Sequence, residues 1–335
     1  MELARPIPCR PPFWAKGGHA QTILGHVLPS RGKRLAGGAK DVEPHTIKVS
    51  DTDSLRAHYV PSPAKETIVL LFHGLGGSSS SDYMERIAAV CLARGYSVLA
   101  VNHRGCGEGT GLASGAYHSG RSDDLARALE YADDRLRHPR RIVIGFSLSG
   151  NALLLQLAQG SGPLPDAGIA VNPPIDLALA SERISTGLNR IYDLRFVHQC
   201  RRAIRERVEA GLLEHAVHIP ALATLHTVDE LFTAPQSGFA DAADYYERCS
   251  THKHLGRITV PTIILSSHDD PFVPPGSLLG AEVSDQVHVH VERHGGHIGY
   301  LTKERTPLGT CRWLDYAMGH YLRELEGIRI RIRIG

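Results

Sequence analysis

This sequence predicts an α/β fold, a mostly parallel sheet covered by helices on both faces, on two observations. Apolar runs of strand length alternate with helix-length patterns along most of the chain. Three of those runs, Thr67–Phe72, Ser97–Asn102 and residues 142–146, are apolar at nearly every position. Continuous apolar strands are those buried on both sides, and strand–helix alternation is how a parallel sheet has both faces covered.

The first 40 residues are rich in Pro and Gly and show no clear period. Residues 45–50 and 55–60 read as a hairpin around the turn residues Asp51-Thr52-Asp53-Ser54. After the strand Thr67–Phe72, residues 83–94 form a helical pattern stopped by Gly95. Ser97–Asn102 is the next buried strand, and residues 123–137 are a helix ending before Pro139. The strand at 142–146 runs directly into a helix at 148–158. Residues 168–172, Thr262–Ser267 and Val287–Glu292 complete the strands, and residues 313–325 close the domain as an amphipathic helix.

The alternation breaks at about 176–257, a helical, polar, Arg-rich stretch that reads as an inserted lid over the sheet. Its apolar Leu188, Ile191, Leu194, Phe196, Val197 and Ile204 lie close to one helical face. The organisation is thus an extension at 1–40 packing on the core, a domain at 41–325 with this insertion, and a tail at 326–335. The tail alternates Ile and Arg strictly, which fits an edge strand or a frayed end.

Composition excludes several classes. Of 335 residues 42% are hydrophobic and 21% charged, enough apolar area for a folded core. Lys+Arg 37 against Asp+Glu 35 leaves +2, which carries no footprint for nucleic acid. Cys9, Cys91, Cys106, Cys200, Cys249 and Cys311 are scattered, so no zinc knuckle or disulfide scaffold is indicated. Residues 1–12 carry four prolines and no apolar core of a signal peptide, and no run of about 18 apolar residues spans a bilayer. A cytoplasmic location with no integral membrane segment is the expectation, and the sequence does not set the oligomeric state.

The chemistry concentrates at Gly145-Phe146-Ser147. A serine between a buried strand and a helix sits on a tight, strained turn with Oγ above the sheet, where the helix also aims its free N–H groups. Gly76-Gly77-Ser78 and Gly120-Arg121-Ser122 share the triplet without that context. The plain alternative for Ser147 is a helix cap.

Such a nucleophile needs a base, an orienter and an oxyanion hole, in chain order Ser, Asp, His. Asp270 and His297 follow the last two strands, at the edge where open α/β sheets place ligands. His294 competes as the base, but the glycines of His294-Gly295-Gly296-His297 favour His297. Asp269 competes with Asp270. His73-Gly74-Leu75-Gly76-Gly77 makes the Leu75 and Leu148 N–H groups the oxyanion-hole pair. The same loop fails as a dinucleotide motif because Ser79 stands at the third glycine position, and no Walker loop or zinc motif is present. No cofactor and no metal are expected.

These residues resemble the α/β-hydrolase superfamily, in particular the YheT-like branch (AB hydrolase family 4, related to ABHD esterases and lipases), over roughly residues 10 to 322. The resemblance is carried by Pro11-Pro12-Phe13-Trp14, Gly18-His19-Ala20-Gln21-Thr22, the His73 loop, Asn102-His103-Arg104-Gly105-Cys106, Tyr117-His118-Ser119-Gly120, Phe232-Thr233-Ala234-Pro235 and the segments around Ser147, Asp270 and His297. It implies an α/β-hydrolase fold and a serine carboxylesterase, lipase-like, with Ser147, Asp270 and His297 as triad, acting on small-molecule esters of short to medium chain. Acyl transfer by the same triad, or a non-catalytic ligand-binding scaffold, are the alternatives. Dehalogenase and epoxide-hydrolase chemistry need Asp at position 147 and are disfavoured. One departure stands out: the branch reads Gly-Phe-Ser-Leu-Gly-Gly-Asn where this chain has Ser149 at the fifth position. Animal members also carry an N-terminal membrane anchor, for which residues 1–12 show no apolar run.

Overall fold

The computed structural model describes residues 1, 3–29, 42–64, 66–213, 215 and 217–334, with side chains to residue 327. Residues 30–40 of the expected N-terminal extension therefore lie outside the described residues.

Eight strands form one sheet: β1 (Glu43–Lys48), β2 (Ser54–Val60), β3 (Thr67–Phe72), β4 (Ser97–Asn102), β5 (Arg140–Phe146), β6 (Ala167–Val171), β7 (Thr262–Ser267) and β8 (Val287–Glu292). Their order is β1-β2-β4-β3-β5-β6-β7-β8. The β1–β2 and β2–β4 pairs are antiparallel and every other pair is parallel. The central β3 is buried at all six positions, and its residues alternate between two cores. Val69 and Leu71 pack with α2 (Asp82–Leu92) and the C-terminal helix through Met84, Ile87, Trp313 and Met318. Ile68, Leu70 and Phe72 pack on the opposite face with α3 (Ser122–Tyr131) and α4 (Leu148–Gln159) through Leu125, Leu129, Leu153 and Leu157. A two-residue side-chain period in an all-apolar strand thus serves two helical layers.

Two elements differ from the periodicity. Helix α1 (Gly18–Val27) forms within the proline- and glycine-rich start of the chain. It lacks an apolar stripe because it packs by backbone: a Cβ on Gly25 would lie 2.4 Å from the Gly299 Cα, and one on Gly18 would overlap the Asp269 carbonyl. The helix expected at 123–137 ends at Tyr131 and closes in a π turn, Ala132–Leu136, with Arg137 left-handed at φ 54°.

Between β6 and β7 come α5 (Leu177–Ile184), α6 (Arg190–Glu209), a short helix with a π turn over 225–233, and α7 (Ala242–Cys249). The apolar stripe read over residues 188–204, from the turn before α6 into that helix, splits. Val197 and Ile204 are buried with Ile219 and Phe232, whereas Leu188 and Ile191 are 71% and 67% exposed. The last helix, α8 (Trp313–Ile334), runs through residues where Ile/Arg alternation fits an edge strand or a frayed end; the backbone there is helical. Extending a formed helix gains a hydrogen bond per residue without a new nucleus. Among the described residues no helix is long and apolar enough to cross a membrane.

Candidate active site

Ser147 occupies the turn from β5 into α4 with φ 52° and ψ −120°, a conformation that costs a non-glycine residue about 1–3 kcal/mol. The neighbours make it possible. A Cβ on Gly145 would lie 2.4 Å from the Ser149 carbonyl oxygen, and one on Gly150 3.1 Å from the Gly145 carbonyl oxygen, so only glycine lets strand and helix approach this closely. The Ser147 N–H donates to Val171 O on β6 at 2.8 Å, and Ser147 O accepts from Gly150 N at 2.8 Å. Leu148 is the first residue of α4, and its N–H is one of those a helix start leaves without an intrahelical acceptor.

His297 arrives from the loop after β8. Its Nε2 lies 3.0 Å from Ser147 Oγ and its Nδ1 2.8 Å from Asp270 Oδ2. The Asp270 carboxyl group is wholly buried and receives three more donors: Asn172 Nδ2 at 2.8 Å on Oδ2, and the Phe272 and Val273 N–H groups at 3.2 and 2.9 Å on Oδ1. Four donors fill an acceptor-only group, so the imidazole proton sits on Nδ1 and the Nε2 lone pair faces the serine. The loop is held from α1, where Thr22 Oγ1 accepts the His297 N–H at 2.8 Å while donating to Gly18 O at 2.7 Å. Asn172, itself left-handed at φ 47°, accepts from Tyr300 Oη at 3.0 Å and the Ile298 N–H at 3.3 Å.

Two cavities meet at Ser147. One, of about 100 Å³, lies under α5 and α6 and is lined by Leu148, Leu177, Ala180, Ile184, Phe196 and Leu225 among others. Asp229 also lines it; its carboxyl group accepts from Tyr246 Oη at 2.8 Å and is pushed up to about 6 by burial. The other, of about 140 Å³, opens towards α1 and is lined by Ile23, His26, Tyr192, Arg195, Gln199 and His297 among others. Among the described residues no group of three His, Cys, Asp or Glu side chains is placed to hold a metal ion.

Of the residues singled out in the sequence, Ser147, Asp270 and His297 come together, and Leu75 and Leu148 border the same space. The competing His294 is turned away; its Nδ1 is 3.3 Å from Asp269, and it lines neither cavity. Of the apolar residues read on α6, Phe196 reaches the cavity beneath the helix. Sequence reasoning did not single out Thr22, Asn172 or Asp229 as site residues. The one available signal for Thr22 was its place in the Gly18-His19-Ala20-Gln21-Thr22 segment.

A mostly parallel sheet with a strained serine at the end of β5, and a histidine and a buried aspartate on the loops that follow β8 and β7, defines an α/β hydrolase. The model of the alpha/beta hydrolase fold family matches residues 67–304. A protein of Escherichia coli (strain K12) that bears the name "Putative esterase YheT" is 29% identical over 284 residues, which cover 82% of this chain and 83% of that protein. A monoacylglycerol lipase of Saccharomyces cerevisiae is 26% identical over 80% of this chain and 62% of its own length. Among solved structures, the Pyrococcus furiosus esterase Pf2001 shares the fold with a TM-score of 0.55 at 18% identity, covering 84% of this chain and 92% of that one. The chain belongs to the α/β-hydrolase family, in its YheT-like branch of esterase- and lipase-type hydrolases.

Proposed function

We propose that this chain is a serine carboxylic-ester hydrolase that works through an acyl-enzyme on Ser147. The observation that carries the reading is the continuous path from Asp270 Oδ2 to His297 Nδ1 at 2.8 Å and from His297 Nε2 to Ser147 Oγ at 3.0 Å. His297 takes the Ser147 proton as Oγ bonds to the ester carbonyl carbon, and Asp270 stabilises the imidazolium. The carbonyl oxygen becomes an oxyanion between the Leu75 and Leu148 N–H groups. Collapse breaks the bond to the alcohol oxygen, which leaves with the proton from His297. Water, deprotonated by His297, then hydrolyses the acyl-enzyme and restores the serine.

The acyl chain enters the 100 Å³ cavity under the 176–257 insertion, which serves as the lid, and the alcohol leaves through the cavity on the α1 side. That cavity is small and largely apolar in its lining, so short-to-medium acyl chains suit it better than acetate or palmitate. The relatives named as esterase and lipase support a small-molecule ester as substrate.

The test is labelling with a fluorophosphonate, which reacts with an activated serine, together with hydrolysis of p-nitrophenyl esters. The parent protein labels at Ser147 and hydrolyses butyrate. Ser147→Ala folds, does not label, and loses activity by three or more orders of magnitude, as loss of one member of a cooperative unit does. Labelling and turnover that persist in Ser147→Ala and vanish in Ser149→Ala would overturn the reading.

A further inference from the structure

Ser149, the residue that departs from the branch pattern, is fully buried two positions after Ser147 and is joined to a group of side chains that take no part in the proton transfers, one of which, Tyr117, also lines the cavity under α5 and α6. Its Oγ donates to the His73 carbonyl, lies 2.6 Å from His103 Nε2 and 3.0 Å from Tyr117 Oη. Tyr117 Oη donates to the same His73 carbonyl at 3.0 Å, and its ring stacks on His103 with centroids 3.9 Å apart.

The protons in this group can be placed. The His73 and Gly74 carbonyls only accept, so His73 Nδ1, 2.8 Å from Gly74 O, carries a proton, and its Nε2 accepts the His103 N–H at 3.2 Å. Ser149 has one proton and gives it to His73 O, so His103 Nε2 donates to Ser149 Oγ. His103 Nδ1 is then a bare acceptor, and it is buried without a partner. The run His103 Nε2–H to Ser149 Oγ–H to His73 O is a directed chain in which each bond polarises the next.

Two successive peptide units end up clamped. His73 C=O is held by two hydroxyls, and the Gly74 N–H is held by Tyr83 Oη at 2.9 Å. Gly74 C=O is held by the His73 ring and by the Gly77 N–H at 3.1 Å. In a trans peptide the N–H points opposite the carbonyl, so fixing Gly74 C=O fixes the direction of the Leu75 N–H. The clamp stands beside the serine, since a Cβ on Gly74 would lie 3.0 Å from Ser147 Cβ.

We infer that Ser149 is a positioning residue for the oxyanion hole: its hydroxyl ties the loop that carries the Leu75 N–H to the first turn of the helix that carries Ser147 and the Leu148 N–H, so that both donors keep one fixed separation. This rests on the serine-hydrolase reading above. A glycine at this position could not make that side-chain bridge between the two halves of the hole.

The experiment compares Ser149→Ala and Tyr117→Phe with the parent, with kcat expressed per site titrated by fluorophosphonate so that misfolded protein is not counted. Loss of an oxyanion donor costs about 10²–10³ in kcat, and a misaimed donor costs part of that. Ser149→Ala is expected to lower kcat per site about 10- to 100-fold with KM within twofold. Affinity for a trifluoromethyl ketone, which forms the tetrahedral adduct, should fall by the same factor as kcat/KM. Tyr117→Phe, which removes the other hydroxyl on His73 O, shifts both quantities the same way by less, and it carries the test if Ser149→Ala does not fold. A kcat per titrated site within twofold of the parent, or ketone affinity that does not follow kcat/KM, overturns the inference. A parent that does not label at Ser147 defeats the serine-hydrolase reading instead, whatever the variants do.

Discussion

Asp269 and Asp270 are neighbours in the chain and hold different parts of the same histidine loop. Asp269 Oδ1 accepts the Gly295 and Gly296 N–H groups at 2.8 Å each, whereas Asp270 Oδ2 meets the His297 ring nitrogen at 2.8 Å. One carboxylate seats the loop backbone and the other orients the imidazole it delivers.

Substitution separates the two. Asp270→Asn presents an amide that favours the wrong imidazole tautomer, and activity should drop by about 10⁴, as the matching change does in serine proteases. Asp269→Asn keeps an oxygen for both glycine N–H groups and should retain activity within about tenfold, while Asp269→Ala should lose more. Steady-state kcat for the three variants checks this; equal losses in the two Asn variants would remove Asp270 from its assigned role.

The cavity under α5 and α6 sets a length limit. Each buried methylene contributes about 0.8 kcal/mol, up to about fourfold in kcat/KM, until the space is full. Across acetate, butyrate, hexanoate, octanoate and palmitate esters, kcat/KM should rise from acetate into the short-to-medium range and fall at palmitate. Ala180 lines this cavity. Ala180→Leu adds three carbons and should move the optimum to acetate. A flat profile, or an optimum that Ala180→Leu leaves in place, argues against acyl binding there.

Two glycines around Ser147 should fail differently. In Gly145→Ala the new Cβ meets backbone at 2.4 Å, so the turn must open; a stability loss of about 1–3 kcal/mol should accompany loss of activity. In Gly74→Ala the Cβ sits 3.0 Å from Ser147 Cβ, 3.3 Å from the Phe146 carbonyl oxygen and 3.7 Å from Ser147 Oγ, a milder overlap than at Gly145 that presses on the serine itself. That variant should fold with nearly the parent Tm and a reduced kcat. Thermal melts beside kinetics decide it, and a Gly145→Ala protein as stable and active as the parent would refute the packing argument.

Acid should destabilise the protein through its buried histidines. Burial lowers His73 from 6.5 to about 4, and His103 and His118 move the same way. A depressed folded pKa means that the unfolded chain binds the proton first. The stability is whole above pH 6.5 and declines as pH falls towards 4, by about 3 kcal/mol for His73 alone at 1.36 kcal/mol per unit. Asp229, raised from 3.8 to about 6, works in the opposite sense, since there the folded state binds the proton first. To isolate His73, urea midpoints of His73→Asn and the parent should be compared from pH 7 to 4. The variant's deficit should shrink as pH falls; a constant deficit would mean that His73 does not titrate as a buried neutral ring.

Much of this protein is local and was therefore legible. The bounds of β3, β4 and β7 match the runs read in the sequence residue for residue, because strands buried on both faces admit little that is polar inside; β8 also matches, though it is an edge strand of alternating Val and polar residues, half-buried over its middle four positions. Ser147 was marked by a strand before it, a helix after it and the glycine at 145, all close by in the chain. What packs through backbone left no such trace. Helix α1 seats on Gly299 and on the Asp269 carbonyl through Gly25 and Gly18, so it has no apolar face for a period to reveal, and with it Thr22 went unread. Asn172 and Asp270 lie 98 residues apart, His297 and Thr22 275. Ser149 looked in the sequence like a tolerated small residue; only the closure of β3 and β4 beside α4 brings His73, His103 and Tyr117 to its hydroxyl. Residue types and local periods determined the sheet and the chemistry at its edge. The support for that chemistry is made of hydrogen bonds between distant segments, and these exist only once the chain has folded.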